Sequence, residues 1–161
     1  MKQVLLFCVL TVFAFSCKKV DEPTMRQDKL RAGNWKRTAL KVTYKQPGGG
    51  DITEDAYATL PDCAKDDLLQ FTNGFEGYVN EGGSKCNVGD PDNSKFTWKL
   101  VNGETQLNVS GAYDHFGTDE ARASIITFTD NNMAIRYDIY DQTFLTTATD
   151  TLHVAAVYSR Y

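Results

Sequence analysis

Four cysteines are the side chains of this sequence best suited to covalent chemistry: Cys8, Cys17, Cys63 and Cys86. The first two belong to one segment. Lys2 gives a positive start, residues 4–15 are almost wholly apolar, and the small Ser16 precedes Cys17. A charged start, an apolar middle and a small residue before a cut describe a secretory signal peptide. The apolar run is too short to span a bilayer, which takes about 20 such residues. Removing residues 1–16 takes away Cys8 and leaves three cysteines, an odd number for an oxidising compartment. A lipid on Cys17 would account for one and leave Cys63 and Cys86 to pair as a disulfide. The rival reading is plain secretion, with Ala14-Phe15-Ser16 as a small-x-small cleavage site and Cys17 bare. A metal site at Cys63 and Cys86 is the other alternative, but zinc wants two more Cys or His ligands at suitable spacing. The two histidines, His115 and His153, stand in no such motif.

Other reactive types are present without a pattern. Ser110 or Ser124 can be set beside His115 and an aspartate, but no Gly-x-Ser-x-Gly elbow surrounds either serine. No glycine loop that could cradle phosphate precedes a helix. Asp66-Asp67 adjoin a turn and read as solvated acids. Asp90-Pro91-Asp92-Asn93-Ser94 is oxygen-rich, yet it lacks the spacing and closing glutamate of a calcium loop and reads as a turn. The chain is therefore expected not to be an enzyme and to use no cofactor or metal. Its net charge of −4, with no basic cluster, excludes a nucleic-acid partner. Asn108-Val109-Ser110 is a formal sequon in mid-strand.

The elements that must position these residues alternate with period two, the pattern of half-buried strands. The first predicted strand, 35–45, puts Leu40, Val42 and Tyr44 on one face. Glycines 48–50 break it. Residues 53–61 are the one helical segment expected, with Thr53 as cap and Pro61 as stop. Strands follow at 68–72 and 75–81 around Asn73-Gly74, then at 95–101 and 105–110 around Asn102-Gly103, both hairpin turns. Strands 123–129 (Ile126 and Phe128 in phase), 133–140 (Met133, Ile135, Tyr137, Ile139) and 151–161 (Leu152, Val154, Ala156, Tyr158) complete eight. The intervening stretches 82–94 and 111–120 read as loops. Short turns make neighbours antiparallel, and an eight-stranded meander with one apolar face closes most simply into an up-and-down barrel, which removes exposed edges. A two-sheet β-sandwich is the alternative fold.

Two resemblances refine this reading. Ser16-Cys17 followed by Lys18-Lys19 resembles the signal of bacterial lipoproteins, in particular those of Bacteroidota. The resemblance implies a lipidated Cys17, a tether over 17–31, and attachment to the outer membrane or cell surface. The basic pair with Asp21 and Glu22 after it is similar to the surface-export signal of the same group, and Asp150-Thr151-Leu152 to its O-glycosylation signal. Downstream, Gly33-Asn34-Trp35, Cys63-Ala64-Lys65-Asp66, Phe71-Thr72-Asn73-Gly74, Cys86 and Trp98-Lys99-Leu100 occur in the order found in lipocalin-like lipoprotein domains. That similarity covers about residues 30–161 and implies one lipocalin-type barrel over 32–161.

The inward-phased aromatics Trp35, Phe96, Trp98, Phe128, Tyr137 and Tyr158 are the candidate ligand-binding residues. The interior of an eight-stranded barrel is either filled by side chains or holds one small ligand. Two functions are accordingly expected. One is a lipid-anchored envelope protein binding a small apolar or amphipathic molecule. The other is a non-enzymatic accessory subunit of an outer-membrane or surface complex with a filled barrel, making contacts through 82–94 and 111–120.

Overall fold

The computed structural model describes residues 25–46, 48–140 and 151–161. The signal segment, Cys17 and the first part of the tether lie outside the described residues, as does Asp150 of the glycosylation signal. The described elements are α1 (Arg26–Arg31), β1 (Asn34–Lys45), β2 (Asp51–Asp55), α2 (Ala56–Thr59), α3 (Asp62–Lys65), β3 (Leu68–Phe71), β4 (Glu76–Asn80), β5 (Asn93–Val101), β6 (Gln106–Ser110), α4 (Tyr113–Phe116), β7 (Glu120–Phe128), β8 (Asn132–Ile139) and β9 (Leu152–Arg160). Every strand pair is antiparallel, and the sheet runs β1-β3-β4-β5-β6-β7-β8-β9 before β9 returns to β1. That closure makes an eight-stranded barrel and eliminates the sandwich. β2 is a ninth strand outside the ring, pairing Asp51–Asp55 with the far half of β1.

The connections divide the barrel into two ends. At one, α1 packs beside the turns 102–105 and 129–131: the Arg26 backbone N–H donates to Glu104 Oε2 at 2.9 Å, and Lys29 pairs with Asp130 at 2.7 Å. The other end carries the β1–β2 hairpin, α2, α3, the 81–92 loop and α4.

Alternation holds as expected on β5, β6, β8 and β9, whose inward residues include Phe96, Trp98, Leu107, Val109, Met133, Ile135, Tyr137, Val154, Ala156 and Tyr158. It fails at two places where a bulge adds a residue. On β1, Arg37 faces Tyr158 and Ala39 faces Val157, so Thr38 is extra. Trp35 and Arg37 point inward before it, and Leu40 and Val42 after it. On β7, Ile125 faces Ile135 and Thr127 faces Ala134, so Ile126 is extra. Ile126 is therefore 54% exposed rather than in phase with Phe128, and Ile125 packs against the core instead.

Three further expectations are corrected. Residues 53–61 are not one helix. Thr53 sits in β2 opposite Thr43, their hydroxyls 2.8 Å apart, and the helix begins only after Asp55, whose carboxylate accepts from the Ala58 N–H. Four short α-helices are described where one helix was expected, and a single 3-10 turn spans Asn73–Phe75. Residues 26–31 are not tether. They form α1, because Leu30 is fully buried and its carbonyl accepts from Trp35 Nε1 at 2.8 Å.

One close approach is a feature of packing alone. A Cβ on Gly77 would lie 2.4 Å from Phe96 Cζ and 2.8 Å from the Gln70 carbonyl. The missing side chain is what lets the Phe96 ring come this close to β4 at Gly77.

Candidate functional site

Cys63 and Cys86 form a disulfide, with Cα atoms 5.2 Å apart. It fastens α3 to the 81–92 loop. The same junction is reinforced by Asp66, whose Oδ2 accepts from the Gly83 and Ser84 N–H groups at 2.8 and 3.1 Å. The oxygen-rich stretch within that loop is held by an amine. Lys85 Nζ pairs with Asp92 at 2.6 Å and donates to the Asp90 carbonyl at 2.8 Å.

The six candidate aromatics fall into three groups along the barrel. At the α1 end, Trp35 and Phe128 lie 5.7 Å apart between ring centroids, and the Arg160 guanidinium covers Trp35 at 5.4 Å. This group seals the bottom. Phe96 and Trp98 gather around Phe71, edge-on at 5.6 and 5.2 Å, and Trp98 Nε1 donates to the Glu76 carbonyl. Tyr137 and Tyr158 meet the residues of α4: Phe116 lies 5.5 Å from Tyr137, and His115 lies 5.7 Å from Tyr158. So α4 dips into the mouth and buries both His115 and Phe116. It is flanked by Gly111 and Gly117, both at positive φ (88° and 70°). Glycine takes that conformation at no steric cost, which lets the chain turn sharply into and out of the plug.

Polar residues converge here. Arg37 and His115 are both only 3% exposed. Arg37 Nη1 donates to the His115 carbonyl at 2.8 Å, while its Nε has no partner. Both ring nitrogens of His115, the Tyr158 hydroxyl and Asp67 Oδ1 are likewise buried without a hydrogen bond. Arg37 and Tyr158 face each other across β1 and β9, which puts their side chains on one face. Buried polar groups are nearly always paired, so several orphans at one spot mark a site.

The local electrostatics follow from burial. Loss of water, aided by the Arg37 charge, holds the His115 imidazole well below its usual range, so it is neutral. Burial pushes the Tyr158 phenol up to about 12 and raises Tyr137 as well. Asp67, at the start of β3, is pushed up to about 6 by partial burial and by the nearby Glu81 and Asp66, against a weaker pull from Arg37. The permanent charge buried in the barrel is thus Arg37, and among the described residues no carboxylate forms an ion pair with it.

His115 and Ser124 are not brought together: Ser124 is exposed on the outer face. His153 lies outside the barrel, 2.7 Å from Asp138. Two open grooves, of about 450 and 670 Å³, run along the outer face of β5–β8 and share Glu120 and Arg122.

Arg37, His115 and Asp67 are absent from the aromatic set expected to bind a ligand. The signal for Arg37 was its parity with Trp35, hidden by the Thr38 bulge, beyond which Leu40 and Val42 set the opposite phase. His115 carried none, since a four-residue helix leaves no periodic trace. Among the described residues no helix is long and apolar enough to cross a membrane.

The model of the lipocalin-like domain family matches residues 32–135, more than half of the chain. A search of curated proteins found no match. Among solved structures, a deswapped triple mutant of bovine odorant-binding protein is similar, at 9% identity over 83% of this chain and 74% of that one, with a TM-score of 0.41. With its closed antiparallel barrel and its matched span, the chain belongs to the family of lipocalin-like domains.

Proposed function

We propose that this is a cell-envelope lipoprotein, anchored through Cys17, whose barrel holds one small amphipathic molecule. The observation that carries the reading is the cluster of buried, unpartnered polar atoms beneath α4, set among aromatic rings. An amphipathic ligand meets both demands: its polar end supplies hydrogen bonds to Arg37, His115 and Tyr158, and its apolar part lies against the rings. α4 covers the mouth with His115 and Phe116, so it must move aside to admit the molecule. The anchor reading rests on the Ser16-Cys17 junction and the odd cysteine left once Cys63 and Cys86 pair.

A second reading is an accessory subunit with a filled barrel. It is favoured by the close packing of Phe71, Phe96 and Trp98 and by the plugged mouth. Native mass spectrometry of the protein purified from its own cell separates the two. A co-purifying small molecule, released on denaturation, supports the ligand reading; a bare mass under gentle conditions supports the accessory role. The mass of the N-terminal peptide tests the anchor, since an unmodified Cys17 removes it.

A further inference from the structure

We infer that the molecule held in the barrel presents an anionic group of carboxylate type to Arg37, with Tyr158 and His115 as additional donors; this rests on the ligand reading above. A guanidinium carries a permanent charge, and a buried charge without a partner is strongly disfavoured. Arg37 is 3% exposed, its one hydrogen bond goes to a neutral carbonyl, and its Nε–H is unused. A neutral ligand could accept that hydrogen but would leave the charge uncompensated, and a cation would add repulsion. An anion answers both.

The donor set matches a carboxylate. Its two oxygens accept about four hydrogen bonds. The Arg37 Nε–H, the Tyr158 hydroxyl and one N–H of the neutral His115 supply three, from neighbouring strands and the overlying plug. Asp67 is the alternative counter-charge, but it makes no ion pair with Arg37, whose pull on its carboxyl is outweighed by partial burial, Glu81 and Asp66. Asp67, Asp66, Glu81 and Asp114 stand close enough to one another to form an acidic rim. Their repulsion of an anion is what the Arg37 charge and the three donors must outweigh.

The test uses the full chain carrying Cys17→Ser, so that neither acyl chains nor detergent compete. Octanoate, octanol and octylammonium are titrated calorimetrically. Octanoate is expected to bind one site at least tenfold tighter than octanol, with octylammonium weakest. Arg37→Met should erase the difference between acid and alcohol and melt no lower than the parent, because it removes an uncompensated buried charge. Tyr158→Phe, which keeps the ring, should cost octanoate severalfold and serves if the Arg37 variant does not fold. Equal binding of octanoate and octanol, or an acid preference that survives Arg37→Met, overturns the anionic site while leaving the binding barrel intact. Failure of all three probes to bind overturns the ligand reading itself, and the inference with it.

Discussion

Replacing both Cys63 and Cys86 by serine tests how far the mouth depends on its covalent clamp. The bridged residues are 23 apart in sequence. In the chain-entropy treatment, closing a loop of that length removes about 3.4 kcal/mol of denatured-state freedom at 25 °C. The folded junction retains other ties: Asp66 Oδ2 still accepts from Gly83 and Ser84, and Lys85 still holds Asp92. The loss therefore falls almost entirely on the unfolded side, and the barrel should stay native in circular dichroism. For a domain of this size about 3 kcal/mol corresponds to a melting temperature lower by roughly 10–15 °C. Urea unfolding followed by tryptophan fluorescence should show a lower midpoint and a steeper dependence on denaturant, because an uncrosslinked chain exposes more surface. A loss below about 1 kcal/mol would refute the argument, since it would mean that the cross-link restrains little in the denatured chain.

Gly77→Ala should destabilise the barrel by about 1–3 kcal/mol through overpacking against Phe96 and the Gln70 carbonyl, read as a lower urea midpoint; an unchanged midpoint would show that the ring has room to move. Asp67 gives a pH effect. Its folded pKa of about 6 lies above the ordinary value of 3.8, so its contribution is fully present below pH about 4 and is lost as the pH rises through 6. Two units would be worth about 3 kcal/mol, and with the group only partly buried, screening reduces this to about 1 kcal/mol. Asp67→Asn should flatten that part of the stability–pH curve, and a parent curve already flat from pH 4 to 7 would count against the assignment.

Much of the barrel was legible along the chain. Side chains in a strand alternate strictly, so Phe96 and Trp98, Leu107 and Val109, Met133 through Ile139, and Val154 through Tyr158 declared their inner face locally. Asn102-Gly103 declared a turn because its backbone needs positive φ, and both residues have it. Cysteine counting found the disulfide, because chemistry constrains parity whatever the fold. What stayed hidden depends on partners distant in sequence. The bulges at Thr38 and Ile126 exist only relative to the strand opposite, and each reverses the phase that alternation would assign. β2 has no apolar face and is a strand because Thr43 and Tyr44 bind Thr53 and Glu54. α1 is a helix because Leu30 docks beneath Trp35, and α4 is a plug because Phe116 and His115 find Tyr137 and Tyr158. Arg37 became a binding candidate for the same reason: its neighbours, their burial and the lack of a counter-charge are properties of the closed barrel, while the residues on either side of it show only a cation in a strand.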